Sequence, residues 1–199
     1  MQPLLPPQIR AVIEEFQKLP GIGAKSAERL TFHLLRASRA SPENLGKALK
    51  DLREGILYCK VCQMVSVNEE CPLCSDKSRD PSLVLVVEEP LDVIAFEKSG
   101  FRGLYHVLHG VLSPIDGMGP EQLKLKELID RCAAGTMTEL IIATDPDVEG
   151  EATATFLGQQ LKKYVRKITR LAHGLPMGAD IEFADQVTLR EAVAGRREI

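Results

Sequence analysis

The stretch "LVLVVEEPLDVIAF", residues 83–96, decides the fold of the larger part of this chain. Its first five residues are aliphatic, and Glu88 and Glu89 follow them directly. A short, continuous aliphatic run is typical of a strand buried on both faces of a parallel sheet. The segment "PLDVIAFEKSG" that comes next has a helical pattern. This stretch therefore predicts one strand and one helix of an α/β domain.

After this stretch, predicted strands and helices alternate up to residue 174. The predicted elements are a strand at 104–110 ("LYHVLHG"), a helix at 120–135 ("PEQLKLKELIDRCAAG"), a strand at 139–144 ("ELIIAT"), a helix at 151–164 ("EATATFLGQQLKKY") and a strand at 167–174 ("KITRLAHG"). Such alternation favours a doubly wound parallel sheet with helices on both faces.

Three short helices are predicted before the first cysteine. They are "QIRAVIEEFQKL" at 8–19, a second after "PGIG" through Leu30 and Leu34, and a third with Ser41 as N-cap and Pro42 at its first position. The chain then divides into residues 1–56 (helical), 57–76 (cysteine-rich), 80–175 (α/β) and 176–199 (a C-terminal segment with a short helix). The intervening "SDKSRDPS" has the composition of a linker.

The composition is that of an ordinary soluble protein: 199 residues, 44% apolar and 27% charged. The first residues have no signal-peptide pattern, and the longest aliphatic run is too short to span a membrane. We therefore expect a cytoplasmic protein without a membrane anchor.

The formal net charge of −3 is unevenly distributed. Residues 1–80 carry a net charge of +2 and residues 81–199 a net charge of −5. The basic excess is concentrated in residues 8–39, with six basic side chains against three acidic ones. These six are Arg10, Lys18, Lys25, Arg29, Arg36 and Arg39. A polyanion is expected to bind there.

The motif "LPGIGAKSAERL", residues 19–30, is typical of a helix-hairpin-helix. Gly21 and Gly23 allow turn conformations closed to other residues, and Ile22 is expected to pack between the helices. Free amides at the start of the second helix then bind a phosphate, and Lys25 and Arg29 lie on one face of that helix. The motif predicts binding to the DNA backbone without base readout. A turn used only for packing or dimerisation is the alternative.

Cys59, Cys62, Cys71 and Cys74 form two C-x-x-C pairs, "CKVC" and "CPLC". Four thiolates satisfy a tetrahedral Zn²⁺ and leave no open position, which predicts a structural zinc. Two disulfides are the competing interpretation, and a cytoplasmic setting disfavours them. The fifth cysteine, Cys132, is predicted to be a small buried residue.

An acidic set follows two of the predicted strands. Glu88 and Glu89 end the first strand, and Asp145 and Asp147 follow "ELIIAT". Because the carboxyl ends of parallel strands meet at one edge of the sheet, these groups are expected to approach each other. Carboxylates suit Mg²⁺ and phosphoryl-transfer chemistry.

Helix capping is the alternative for part of the same set. Asp145 or Asp147 suits an N-cap, while Glu149 and Glu151 suit the first turn of the helix, where the dipole favours acids. The spacing alone does not separate these two interpretations.

The order of these motifs resembles the RecR family of bacterial recombination mediators, and the second half is similar to the Toprim domain. The resemblance extends through "YCKVC", "CPLC", "VVEEPLDV", "YHVLHGVLSPIDGMGP", "ATDPDVEGEATA", "TRLAHGLPMGAD" and "TLREAVAGRR". It implies a helix-hairpin-helix domain, a four-cysteine zinc knuckle and a Toprim sheet. It also places the family's DNA-contacting basic positions on Lys25 and Arg29 and its zinc ligands on the four cysteines.

The resemblance further implies a non-enzymatic mediator. Such proteins work with RecO or RecF at single-strand gaps, help RecA to replace single-strand-binding protein, and assemble as dimers or tetrameric rings around DNA. Much of the family has Asn at the position of Asp145 and an uncharged residue at that of Asp147. With Asp at both, this chain is expected to have retained the ligands for Mg²⁺.

Two other functions remain open. An intact Asp-x-Asp pair suits a Mg²⁺-dependent nuclease or a related phosphoryl-transfer enzyme, although no separate domain presents a nucleophilic tyrosine. Alternatively, Glu149 and Glu151 dock a basic surface of RecO or RecF.

Overall fold

The computed structural model describes residues 4–36 and 42–198. The helices are α1 (Pro7–Gln17), α2 (Ala24–Arg36), α3 (Pro42–Asp51), α4 (Pro72–Ser75), α5 (Pro90–Lys98), α6 (Leu125–Ala133), α7 (Val148–Leu161) and α8 (Gln186–Ala194). The strands are β1 (Leu57–Tyr58), β2 (Val65–Ser66), β3 (Asp80–Val87), β4 (Gly103–Val107), β5 (Glu139–Ile142) and β6 (Lys167–Arg170). No helix within the described ranges is long and apolar enough to cross a membrane.

Two compact units, Met1–Gly55 and Ile56–Ile199, make up the chain. The division between the helical part and the rest therefore lies at the end of the third predicted helix. No such division separates the cysteine-rich segment from the sheet, and the finer domain boundaries stay a prediction.

The first unit contains α1, α2 and α3, as the helical patterns predict. The contact between α1 and α2 encloses Ile13, Ala27 and Thr31, which are its most buried residues. The third helix begins at Pro42, as predicted. Its predicted N-cap Ser41, like the basic residue Arg39, lies outside the described residues.

The second unit is built on four parallel strands in the order β4-β3-β5-β6. The registers pair Leu85 with both Tyr105 and Ile141, and Ile141 with Thr169. The strand that opens the sheet, β3, is therefore an inner strand, with the next two strands of the chain on either side of it. This order confirms the predicted doubly wound parallel sheet.

Alternate side chains of the strands enter two separate cores, because successive residues of a strand point to opposite faces. Val84, Val86, Leu140 and Ile142 pack with residues of α6 and α7 on one face. Leu85, Val87, Tyr105 and Val107 pack with Val93 of α5 on the other. Both faces are covered, which explains why the strands are continuous aliphatic runs.

Several element boundaries differ from the sequence patterns, and two of the differences have a clear cause. Helix α6 begins at Leu125 instead of Pro120, because the Lys124 amide donates to Leu108 O at 2.9 Å and holds the preceding turn at the end of β4. Strand β3 already begins at Asp80, inside the predicted linker. The side chain of Arg79 is buried there and donates to Gly103 O at 3.0 Å, which fixes this segment to the sheet.

Candidate functional sites

The four cysteines of the two C-x-x-C pairs lie together, as predicted. Their sulfur atoms all fall within 4.8 Å of one another, and Cys62 Sγ is 3.5 Å from Cys71 Sγ. Four sulfurs around a tetrahedral Zn²⁺, at Zn–S bonds of about 2.3 Å, are roughly 3.8 Å apart. All four are free thiols, so the disulfide interpretation is not supported. The donor set and its spacing fit zinc.

The packing of these sulfurs against one another disfavours several negative charges at once. Contact with the Cys62 sulfur, and then with that of Cys71, raises the pKa of Cys74. Contact with Cys71 likewise raises the pKa of Cys62, to about 12. A divalent cation removes this repulsion, so metal binding is expected to release protons.

The cysteine knuckle, residues 57–75, is attached to the edge strand β4. The Val107 amide donates to Cys62 O at 2.8 Å, and His109 Nε2 donates to Gln63 O at 2.7 Å. Gln63 and His109 both have left-handed backbone conformations, with φ of 63° and 61°. Tyr58 packs edge-on against the His109 ring, with centroids 4.6 Å apart. The knuckle therefore covers part of the outer edge of β4.

The hairpin that joins α1 and α2 has the predicted turn. Gly21 has φ of +77°, a conformation that favours glycine, whereas Gly23 has no such requirement and has open space around its Cα. Ile22 is half-buried. The first bond inside α2 runs from the Ala27 amide to Gly23 O at 3.0 Å, so the amides before Ala27 start the helix without an intrahelical acceptor.

Lys25 and Arg29 lie on the exposed side of α2. Neither forms an ion pair with any of the residues that the structure describes. The hairpin thus presents helix-start amides and two cations, a combination that suits a phosphate backbone. Their role in DNA binding stays a prediction.

At the carboxyl edge of the sheet, β3 and β5 bring Glu88 to the loop after β5. Glu88 Oε1 accepts a hydrogen bond of 2.7 Å from the Asp145 amide, which joins positions 57 residues apart. Burial raises the pKa of Glu88, and the charges of Asp145, Asp147 and Asp92 add to that increase. The predicted approach of the two strand ends is therefore observed.

Two other acids of the set cap helices. Glu89 is the N-cap of α5 in a reciprocal capping box with Asp92, whose carboxylate accepts from the Glu89 amide at 2.8 Å. Asp147 is the N-cap of α7 and accepts from the Gly150 amide at 2.7 Å. Of the two residues that suited an N-cap, Asp147 takes this position, while the Asp145 side chain is exposed.

Arg170, at the end of β6, holds the loop after β5; it lies in the segment "TRLAHGLPMGAD", but no role was predicted for it. Its guanidinium donates to Glu151 Oε1 at 2.6 Å, to Thr144 Oγ1 at 2.6 Å and to Asp145 O at 3.1 Å. His173 Nε2 lies 3.6 Å from the same Glu151 oxygen. Glu151 therefore has an internal cationic partner, and Glu149 is left half-buried in the first turn of α7. Only the adjacency of β5 and β6 could have suggested this contact.

Within residues 4–36 and 42–198, the cysteines are the one group of three or more possible metal ligands whose donor atoms lie within 4.8 Å of each other. The six carboxylates at the ends of β3 and β5 form what we call the acidic edge: Glu88, Glu89, Asp145, Asp147, Glu149 and Glu151. Most of them accept hydrogen bonds from protein groups. Magnesium binding there stays a prediction.

Comparison with known proteins identifies the family. A recombination protein RecR from Acidothermus cellulolyticus is 51% identical over 192 residues, which cover 96% of each chain. The RecR proteins of Streptomyces coelicolor and Heliobacterium modesticaldum are 50% and 52% identical, over 95% and 94% of this chain and 96% and 95% of theirs. The chain belongs to the RecR family.

Three family models match successive parts of this RecR-family chain. They are the RecR helix-hairpin-helix at residues 9–53, the Toprim domain at residues 82–172 and the RecR C-terminal region at residues 174–197. The first contains the hairpin with Lys25 and Arg29, and the second contains the acidic edge and Arg170. The predicted resemblance is confirmed, and with it the helix-hairpin-helix and Toprim assignments.

Proposed function

We propose that this protein is a DNA repair and recombination mediator that binds DNA without sequence specificity as an oligomeric clamp. It works with RecO or RecF at single-strand gaps, where it helps RecA to replace single-strand-binding protein. The similarity to RecR proteins over almost the whole chain carries this proposal. The exposed cations of the hairpin are the chemical support for the DNA contact.

The mediator role needs no catalytic step in this protein. Glu88, Glu89, Asp147 and Glu151 each accept hydrogen bonds from groups of the protein itself. These acids order the β3–α5 and β5–α7 loops by capping helices and joining strand ends, which is a structural role. The proposed function is therefore binding.

Zinc is the metal we propose for the cysteine knuckle. Four thiolates fill its coordination shell and leave no position for a substrate, so its role is structural. The buried members of the knuckle's own cluster are the cysteines Cys59, Cys62 and Cys71, so the metal would supply much of its folding energy.

A homodimer or homotetramer follows from the weakness of a single hairpin. One hairpin neutralises only one or two phosphates, so a useful affinity requires several hairpins on one DNA molecule. An exposed apolar surface at α3 supports self-association: Leu45 and Leu49 of the helix are 38% and 61% exposed, and Leu52, directly after it, is 66% exposed. In the proposed assembly, this surface packs against a second copy.

The acidic edge is proposed to dock the basic surface of RecO or RecF. The carboxylates of Asp145 and Glu149 accept no hydrogen bond from the residues that the structure describes, so they are better placed for this contact than Glu151, which Arg170 holds. Weak Mg²⁺ binding by Asp145 is compatible with such docking.

DNA binding tests the proposal directly. We expect the protein to bind fluorescent gapped DNA in an anisotropy titration and to accelerate RecA loading on strands covered by single-strand-binding protein when RecO is present. Replacing Lys25 and Arg29 by Gln should weaken binding at least tenfold. The matched control, Lys47→Gln with Lys50→Gln on α3, should bind normally. A strictly monomeric protein that binds no gapped DNA, even with RecO, contradicts the proposal.

The enzymatic alternative has its own test, motivated by the Asp-x-Asp pair after β5. Labelled gapped DNA is incubated with the protein and Mg²⁺, and we expect no cleavage. Cleavage that disappears in Asp145→Ala would show a Toprim nuclease and overturn the non-enzymatic proposal.

A further inference from the structure

A cleft of about 800 Å³ lies along the outer side of α2, beyond the hairpin turn. The described residues that line it are Ser26, Arg29, Leu30, Phe32, His33 and Arg36. It lies within the helical unit, and the hairpin motif at residues 19–30 covers only its first part. These described lining residues combine an aromatic ring with cations and include no carboxylate.

The cations of α2 form one continuous stripe that leads from the hairpin into this cleft. At about 100° per residue, Arg29 and Arg36 lie within roughly 40° of Lys25 around the helix axis. The stripe from Lys25 to Arg36 is about 16 Å long at 1.5 Å per residue. All three side chains are exposed, and none is ion-paired within the described part of the chain.

Phe32 lies between these cations on the same side of the helix. It is half-buried, and the Arg36 guanidinium is 5.8 Å from the centre of its ring. The guanidinium thereby holds the ring at the surface beside a positive charge. A partly exposed aromatic ring in a basic groove is the arrangement on which unpaired nucleobases stack.

We propose that this cleft binds single-stranded DNA, with one base stacked on Phe32 and the adjoining phosphates on Arg29 and Arg36. The inference rests on the proposed function and names the form of DNA that this surface prefers. In a duplex the base faces are already stacked on their neighbours, so only an unpaired base can reach the ring. The hairpin amides and Lys25 contact phosphates in either form of DNA, and the cleft adds selectivity for the unpaired strand.

Continuity with the phosphate-binding hairpin and the absence of acids among the described lining residues favour this occupant. An acidic protein segment would satisfy the arginines, but it offers no flat ring for Phe32. Competition by polyglutamate and binding to a strand with one abasic nucleotide distinguish these two occupants.

Phe32→Leu is the first variant, since leucine keeps an apolar side chain while removing the ring. Base stacking contributes about 1–3 kcal/mol per base, so we expect a roughly 5- to 100-fold loss of affinity for an oligothymidine strand. Binding to a duplex of equal length should change less than about twofold. The slope of log affinity against log salt should stay the same, because no charge is removed. Phe183→Leu, at an 80% exposed phenylalanine of the second unit, is the matched control.

Arg36→Gln tests the phosphate contact and keeps the inference testable if Phe32→Leu does not fold. The single-strand salt slope should fall in magnitude by about 0.7, the value for one phosphate. Duplex binding should be unchanged, whereas Lys25→Gln should weaken both forms. Folding of each variant is checked by circular dichroism.

Binding of the wild type and of Phe32→Leu to an intact strand and to a strand with one abasic nucleotide gives a double-mutant cycle. If the ring stacks on a base, abasic substitution weakens binding to the wild type and has less effect on the variant. Equal losses for both proteins, or equal losses of single-strand and duplex binding in Phe32→Leu, overturn the inference. Competition by polyglutamate equal to that by the oligonucleotide would likewise overturn it, in favour of an acidic protein. Failure of the wild type to bind any DNA would instead refute the proposed function.

Discussion

At the scale of single residues, Glu88 combines two opposing effects. Its carboxylate holds the Asp145 amide, yet burial and the neighbouring carboxylates raise its pKa above that of a free glutamate. A folded-state pKa that lies above the unfolded value means that the folded protein binds the proton more tightly. The stabilisation from this group is thus complete below the unfolded pKa, near 4.3, and is lost as the pH rises through the folded pKa.

We therefore predict that Glu88→Gln stabilises the protein at neutral pH. Glutamine retains an oxygen that accepts from the Asp145 amide and carries no charge to repel Asp145 and Asp147. Urea unfolding should give a higher free energy of unfolding for the variant at pH 7, and the difference should shrink toward pH 4. A variant less stable than the wild type at pH 7 would contradict the sign of this effect.

Magnesium offers a separate comparison on the same two proteins. If Mg²⁺ binds through Glu88 and Asp145, adding it should stabilise the wild type more than Glu88→Gln. Equal responses of the two proteins would indicate that Glu88 contributes no metal ligand.

Residues with a local signature could be predicted from the sequence, and residues defined only by topology could not. The spacing of the C-x-x-C pairs is sufficient to place four sulfurs together, since each pair closes within one turn. The contact of Glu88 with the loop at Asp145 followed from the rule that parallel strands share a carboxyl edge. Arg170 lies in a segment that resembles the family, but its partners follow only from the position of β6 beside β5.

At the scale of elements, the start of α7 explains the acidic loop. Gly150 lies where the first turn of α7 passes over the loop, and a Cβ built on it would be 2.1 Å from Asp145 O. Its carbonyl accepts from Thr144 Oγ1 at 2.8 Å, and its amide donates to Asp147. Much of the run "DPDVEGE" is therefore explained by the construction of a tight turn from strand to helix.

Two glycine substitutions in α7 should have opposite effects. Gly150→Ala forces backbone movement, and overpacking of this kind costs about 1–3 kcal/mol or more. Gly158→Ala, in the same helix, meets no atom within 4 Å and should stabilise by about 1 kcal/mol through helix propensity. Urea denaturation of the two variants checks this pair. Equal effects would show that the close approach at Gly150 relaxes without cost.

Element boundaries show why part of the fold was beyond sequence patterns. Helix α7 begins at Val148, earlier than its apolar pattern, and its N-cap Asp147 is one of the two candidates that the sequence offered. Helix α6 begins later than its pattern, because a long-range bond to Leu108 O fixes Lys124. Periodicity identifies a helix, whereas its ends depend on individual hydrogen bonds.

At the scale of the whole molecule, the cysteine knuckle belongs to the second unit, together with the Toprim sheet. It adds Cys62 O to the edge of β4, and Met64 and Leu73 pack against the core formed by α5 and one face of the sheet. The other core, formed with α6 and α7, contains no knuckle residue. Loss of the metal should therefore loosen one face of the sheet and leave the other folded.

Zinc removal tests this arrangement. A strong chelator should extract one Zn²⁺ per chain and increase amide hydrogen exchange at Cys59, Gln63 and Val107, whose amides bond within the knuckle or to it. Amides of β5 and α7 should stay protected, because their core does not include the knuckle. Cys59→Ser should reproduce the chelated state, whereas Cys132→Ala, which removes a buried thiol outside the cluster, should keep its zinc. Exchange that rises equally in β5 would show that the metal holds the entire sheet together, and retention of zinc by Cys59→Ser would exclude that thiol as a required ligand.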